Sequence, residues 1–459
     1  MSSGAARVDA EARRLAAWQR ITLATLLIGY TGYYVCRSNL SVGGSSIGAE
    51  FGLDKAALGN ISAWGLVFYS FGKIFAGMAC DFVGGRRVFL FGMAASTACT
   101  VLFALGPSLL PAVPVATLFV LLWSLNRLVQ SPGWGALVKV SARWFPLQSH
   151  GKVMGILCLS YLFGDVVARA FLGGLLQAGF GWRGMFYVAA GTLAMISAAS
   201  FVLLRASPRS IGAEEPAESP ENLFAASQAE DHPGGVVALL LPFFTSPAFW
   251  MICAMSIGLT LIRESMLFWL PTYLEEVTGM RPGDAGSWSA IFPLFGGVSA
   301  LVAGHLTDRW VGSRGRVMFP ALALLVVPLA LLAYVPQQST PWMPLTCFSA
   351  TAFLLLGPYT FLTGVLALDF GGKRGSSTAA GLVDGAGYFG AVVSTRYAGS
   401  VAESYGWDAV FQGAAIIAAL TSLAALAYWM LDAAQRRRRA RRPPVATTPA
   451  MAETAAPVG

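Results

Sequence analysis

Twelve apolar runs, each long enough to cross a lipid bilayer, constrain this chain more than any other feature. They lie near 18–42, 58–80, 88–106, 112–138, 151–178, 184–204, 243–274, 285–306, 317–335, 342–368, 377–401 and 408–432. A hydrocarbon core about 30 Å thick takes about 20 apolar residues wound as a helix, so each run is expected to span it once. Many runs carry Gly and Ala, as closely packed membrane helices do; Gly385 and Gly387 in span eleven are examples. Only 12% of the 459 residues are charged, against roughly 25% in a soluble domain. That is too little charge for a polar skin. Soluble enzymes, nucleic-acid binders and disordered scaffolds are excluded on this ground. The net charge of +8 does not restore a nucleic-acid partner, because the basic residues lie between apolar runs and form no single basic face.

The basic residues orient the chain. With the N-terminus cytoplasmic, the inside segments hold 22 Lys and Arg, and the outside loops hold only Lys55, Arg183 and Arg281. A bias of that size predicts both termini in the cytoplasm. The polar start, 1–17, passes directly into span one with no small-residue cleavage site, so no removable signal peptide is expected. Two six-helix units are expected, 18–205 and 242–432, joined by a cytoplasmic linker at 206–241 that holds Glu214, Glu215, Glu218, Glu221, Glu230 and Asp231. The basic, Pro/Ala/Thr-rich tail, 433–459, is expected to be disordered. Cys36, Cys80, Cys99, Cys158, Cys253 and Cys347 all fall in apolar stretches at no metal-like spacing, and read as small buried hydrophobes.

The two halves repeat. Span two ends in Gly77-x-x-x-Asp81, then a Gly turn and Arg86-Arg87; span eight ends in Gly304-x-x-x-Asp308-Arg309, then a Gly turn and Arg314. The two aspartates are 227 positions apart (308 − 81). A carboxylate at a helix end beside a basic turn can pair a neighbouring cation and act as a latch. One copy reads equally well as a plain positive-inside loop, but two copies at matched positions do not.

Charges inside the spans mark the candidate site, since each costs about 2.5–3.5 kcal/mol to insert and needs a partner, water or a ligand. They are Arg37, Lys73, Arg127, Arg169, Arg263 and Arg396, with Asp165, Glu264 and Asp384. Tyr30, Tyr33, Tyr34 and Arg37 follow i, i+3, i+4, i+7 and share a helix face. Arg263 in span seven is 226 positions beyond Arg37, close to the loop offset, so the two are expected to face each other from opposite halves. Two guanidinium forks so placed form a receptor for a dianion. The bland alternative is an internal pair for each, such as Arg263 with Glu264. Tyr161 and Tyr388, again 227 apart, are matched phenols that either line the cavity or simply pack. Lys73 is a third candidate cation at the site, or a snorkelling residue. Asp165 and Arg169, at i and i+4, are expected to satisfy each other. Asp384 is expected to meet a cation such as Arg127 or Lys139, or a cationic substrate group.

Several strings then match one known family. Tyr33-Tyr34-x-x-Arg37-x-Asn39, Phe71-Gly72-Lys73, Gly133-Trp134, Pro208-Arg-Ser-Ile-Gly212, Pro271-Thr-Tyr-Leu-Glu-Glu-Val, Thr378-Ala-Ala-Gly381 and Gly387-Tyr388 resemble the organophosphate:phosphate antiporters of the major facilitator superfamily. The resemblance covers the whole chain. It implies an all-α membrane protein of two pseudo-symmetric six-helix bundles, in a bacterial inner membrane, with alternating access to a midplane site. It implies a monomeric carrier with no enzymatic activity and no cofactor, exchanging an organic phosphate or phosphonate for inorganic phosphate. Arg37 and Arg263 would bind the phosphate, with Lys73 near them. The chain departs from the glycerol-3-phosphate member at Tyr161 (a histidine there), Arg127 (a glycine) and Asp384 (a small residue); a substrate with an amine beside its phosphate would suit the extra carboxylate. The alternatives are proton-coupled symport of another organic anion through Asp165 or Asp384, and a membrane sensor of a phosphorylated ligand.

Overall fold

The computed structural model describes residues 2–217, 222–224, 234–280, 285, 288–309, 314–336 and 339–440. Regular structure among them is entirely helical. In lipid no water is present to satisfy backbone N–H and C=O groups, and a helix satisfies them within the segment. Seven spans are simple: Lys55–Val83, Gly85–Leu109, Gly181–Leu203, Pro247–Thr278, Ile291–Arg309 and Gly315–Leu332 are single helices, and span five is Gly164–Gln177 stacked on His150–Leu162 across a break at Phe163. Local chemistry sets their ends. Asp54 accepts from the Ala57 N–H at 2.7 Å to start span two, and Ser246 with Pro247 starts span seven. Gly279 closes span seven at φ +69°, a conformation glycine adopts without a Cβ clash.

The remaining spans are irregular where the site lies. Span one breaks at Cys36–Ser38, between Ser2–Val35 and Asn39–Phe51. Span four breaks at Ser131–Pro132, between Val115–Gln130 and Gly133–Trp144. Span ten, Trp342–Thr360, passes Pro358 and widens into a π-helical turn at Phe361–Val365. Leu366–Ala440 is one run folded at Gly372 (φ 53°) and Gly406 (φ 85°), which separate spans ten, eleven and twelve. Among the described residues nine helices are long and apolar enough to cross a membrane. Spans ten and eleven are fused in that count, and the interrupted spans one and four fall outside it, so nine is consistent with twelve crossings.

Helix extends beyond span one on both sides, from Ser2 to Val35 and, after the break, from Asn39 to Phe51. The linker carries short helices, Pro208–Ile211 and Val236–Phe244. One expectation needs correction. The tail does not begin disordered at 433, because span twelve stays helical to Ala440, with Arg436 paired to Asp432 one turn earlier at 3.0 Å. Glu218, Glu221, Glu230, Asp231, Arg281, the side chain of Arg396 and residues 441–459 lie outside the described residues.

The halves meet along spans two and eleven and along spans five and eight, and small residues allow the approach. A Cβ on Gly77 would stand 2.9 Å from the Ser377 carbonyl, and one on Gly155 would stand 2.7 Å from that of Ala300. Gly381 lies still closer to the Lys73 carbonyl, as does Gly304 to that of Gly151. Van der Waals packing, not hydrophobic exclusion, holds membrane helices together, and glycine maximises it. These contacts lie toward the face that carries the basic loops, called the basic face below.

Candidate functional site

Between the halves is a cavity of about 80 Å³, the size of a small polar group and a few waters. Its lining includes Tyr34, Arg37, Lys73, Tyr161, Arg263, Asp384 and Tyr388, the residues singled out from sequence, together with Tyr30, Tyr69, Trp134, Tyr359 and Thr363. Tyr33, on the same helix face by spacing, turns into its own bundle and donates to the Phe89 carbonyl at 2.6 Å.

The break in span one aims Arg37. The Cys36 carbonyl has lost its helical partner and accepts instead from Asn126 Nδ2 of span four at 2.9 Å. Asn126, Gln130 and Ser96 hold one another at 2.7–3.1 Å, and Gln130 Oε1 accepts from Arg37 Nε at 3.0 Å. The guanidinium is then stacked on two rings, 4.5 Å from the centre of Tyr34 and 4.8 Å from that of Tyr69. No carboxylate touches it among the described residues, and its buried Nη2 has no hydrogen-bond partner.

Arg263 stands opposite, over the Tyr359 ring at 4.5 Å. The alternative of an internal pair holds for Arg263: its Nη2 contacts Glu264 Oε1, although successive helical side chains diverge. Both side chains are long enough to curl together where no other partner offers itself. Its Nε remains buried and unpartnered. Each arginine therefore keeps one buried donor without a protein partner, and leaving such a donor unsatisfied costs about 1–3 kcal/mol.

Asp384 pairs with neither Arg127 nor Lys139. Lys73 reaches it from the other half at 2.5 Å, and both side chains are about nine-tenths buried or more. This ion pair is part of the cavity wall and engages Asp384 through Oδ2. Lys139 instead pairs with Asp81 at 2.8 Å. Asp165 and Arg169 form their pair at 2.7 Å, largely exposed, with Ser38 donating to Asp165. Arg127 lies over Tyr69 at 4.8 Å.

The two loop motifs seal the basic face. Asp81 accepts from the Thr378 N–H of span eleven at 2.7 Å. Asp308 accepts from the Gly151 and Lys152 N–H groups of span five, both at 2.7 Å, which caps the helix His150–Leu162. Thr378 and Gly151 are themselves 227 positions apart, so each contact is the repeat image of the other. The expected cation partner exists for Asp81 only; Asp308 latches onto backbone amides. Arg86 donates to the Leu204 carbonyl at 2.6 Å within its own half, and Arg309 is exposed. Further cross-half bonds run from His150 to Asp369 at 3.2 Å, from Lys139 to the Arg374 carbonyl at 3.1 Å, and from Trp134 Nε1 to the Thr363 carbonyl in the π turn at 3.0 Å. Among the described residues, the polar bonds joining the halves lie at the cavity or between it and the basic face.

Sequence reasoning missed Tyr69, Tyr359, Trp134 and Thr363. Tyr69 was within reach, being four residues before Lys73 on one helix face. Thr363 carries no such signal, because the π turn Phe361–Val365 that presents it changes the helical register, and Tyr359, near the end of the helix before that turn, has no charged neighbour to mark its face.

A polar chamber between two repeated six-helix bundles, sealed toward one face by mirrored latches, defines a transporter that works without covalent chemistry. The sequence profile of the Major Facilitator Superfamily matches residues 26–395 and 279–455, and the chain belongs to that family. It is an integral, multi-pass membrane transporter and not an enzyme. Its relatives include the glycerol-3-phosphate transporter of Bacillus subtilis (strain 168), 26% identical over 408 residues and covering 86% of this chain and 89% of that protein. A probable hexose phosphate transport protein of Chlamydia pneumoniae is 24% identical, covering 92% and 94%. The membrane sensor protein UhpC of Salmonella typhimurium (strain LT2) is 25% identical, covering 90% and 91%. These names agree with the resemblance drawn from the motifs. Among solved structures, the proton:xylose symporter XylE superposes with a TM-score of 0.68 at 13% identity, covering 89% of this chain and 95% of that one. FucP in the outward conformation gives 0.67 at 14% identity, covering 90% and 99%.

Proposed function

We propose that this chain carries an organic phosphate across the cytoplasmic membrane in exchange for inorganic phosphate, with the substrate phosphoryl group bridging Arg37 and Arg263. The observation that carries the reading is that Arg37 and Arg263 line one cavity from opposite halves and that each keeps a buried guanidinium donor, Arg37 Nη2 and Arg263 Nε, without a hydrogen-bond partner. The names of the relatives support it. A phosphoryl group accepts several charge-assisted hydrogen bonds at once and matches the guanidinium fork. With the charge bias assigning the basic face to the cytoplasm, the sealed face makes this an outward-facing state. A bound anion supplies the counter-charge that Arg37 lacks, bridges it to Arg263 and lets the outer ends of the halves close over it; the empty cavity keeps the Arg37 charge uncompensated and resists that closure. Only loaded carriers then cross quickly, which is exchange.

The test is phosphate uptake by the purified protein in liposomes. Uptake is expected to require internal phosphate, and Arg37→Lys and Arg263→Lys are each expected to weaken phosphate binding by about tenfold or more, since lysine keeps the charge and loses the fork. Equal uptake into empty and loaded liposomes would falsify obligate exchange. The likeness to a protein named a membrane sensor favours a second reading, ligand binding without transport; tight phosphate binding with no uptake under any loading would select it.

A further inference from the structure

Arg127 is a cation beside the cavity with no counter-charge among the described residues. The lining brings three cations, Arg37, Lys73 and Arg263. Asp384 compensates Lys73, and Glu264 lies against Arg263. Arg37 is the one cation of the lining left uncompensated among the described residues. Arg127, partly buried in span four, has no acidic partner among the described residues. Its stem packs against span two where a Cβ on Gly65 would stand 3.1 Å from Arg127 Cγ, so glycine makes the room it uses. Its guanidinium carbon lies 4.8 Å from the centre of the Tyr69 ring, the same distance as that of Arg37, so the two guanidiniums stand within twice that distance of each other across one cavity-lining side chain. Arg127 precedes Gln130, the anchor of Arg37, by nearly one helical turn, about 4.5 Å farther from the basic face. It therefore stands behind the Tyr69 ring of the cavity wall, on the side away from the sealed basic face.

We infer that Arg127 receives a second anionic group of the substrate, so that the carrier selects small organic phosphates bearing a carboxylate at the other end over those ending in a hydroxyl. The inference rests on the phosphate-carrier reading above. The probe pair is 3-phosphoglycerate and glycerol 3-phosphate, similar in skeleton and different at the terminal carboxylate, with the methyl ester of 3-phosphoglycerate as the uncharged control. Each is used to inhibit phosphate exchange by the full-length protein in liposomes, and the readout is the ratio of inhibition constants. The wild type is expected to prefer 3-phosphoglycerate over both comparators by about tenfold, the worth of one charged hydrogen bond. Arg127→Gln should collapse that ratio, and Arg127→Lys should keep part of it. An unchanged ratio in Arg127→Gln, or equal weakening of all three compounds, overturns the inference and makes Arg127 a structural tie between spans two and four. If Arg127→Gln does not fold, the comparison of acid and ester on wild type decides alone, and equal inhibition refutes the claim. Failure of the wild type to exchange phosphate at all is the separate mark of a wrong carrier reading, and this inference falls with it.

Discussion

At the scale of single residues, the cavity is governed by which of its charges are paired. Lys73 and Asp384 sit on opposite halves, buried, at 2.5 Å. Removing one partner of such a pair leaves the other uncompensated and costs about 3–5 kcal/mol, whereas replacing both with neutral groups is nearly neutral. Lys73→Gln and Asp384→Asn are each expected to lower the melting temperature in detergent, and the double variant is expected to recover most of the loss. Additive losses in that cycle would show that the two side chains do not depend on each other. The same pair bears on proton coupling. Asp384 has Lys73 as its cation, and Asp165 is tied to Arg169 and Ser38 in a partly exposed position, so proton uptake by either would have to break an ion pair.

At the scale of helices, the closed face depends on backbone approach between spans two and eleven and between spans five and eight. Gly381 meets the Lys73 carbonyl, and Gly304 meets that of Gly151, at distances no side chain tolerates. A Cβ at either place forces a shift, and overpacking of this kind costs about 1–3 kcal/mol. Only the conformation closed on the basic face bears that cost. Gly381→Ala and Gly304→Ala are therefore expected to shift the population toward the state open at that face. A cysteine placed in that interface should react faster with a membrane-impermeant maleimide applied from the basic side, by about fivefold or more. Unchanged labelling would mean that the helices close by another route. The linker acts at the same place. The buried Glu215 carboxylate gathers Arg143 of one half at 3.7 Å and Lys373 of the other at 3.1 Å, so part of the connection between the halves is itself a clasp.

At the scale of the whole molecule, the 227-residue repeat explains why two latches form together. Asp81 to Thr378 and Asp308 to Gly151 are images of each other, so a rocking motion that breaks one breaks the other. Each aspartate gains charge-assisted bonds worth about 1.5–3 kcal/mol only while the basic face is closed. Asp81→Asn and Asp308→Asn are expected to speed opening at that face and to raise the share of basic-face-open molecules in single-molecule distance measurements. The Asp81 change should have the larger effect, because Lys139 loses its partner too. Equal populations in wild type and both variants would remove the latch role.

The sequence by itself determined the solvent, the number of crossings, the two-fold repeat and the short list of side chains that had to meet, because apolar length, charge bias and repeat offset are one-dimensional quantities. Arg37, Lys73, Arg263 and Asp384 stood out because a charge in hydrocarbon is expensive wherever it lies along the chain. Only the tertiary structure decided the pairings. Whether Asp384 met Lys73 or Arg127, whether Arg263 curled onto Glu264, and which carbonyl the break in span one exposed all depend on distances between helices far apart in sequence. The π turn after Pro358, which carries Thr363 and faces Trp134, shifts the register by one residue and so places side chains where no regular spacing predicts them.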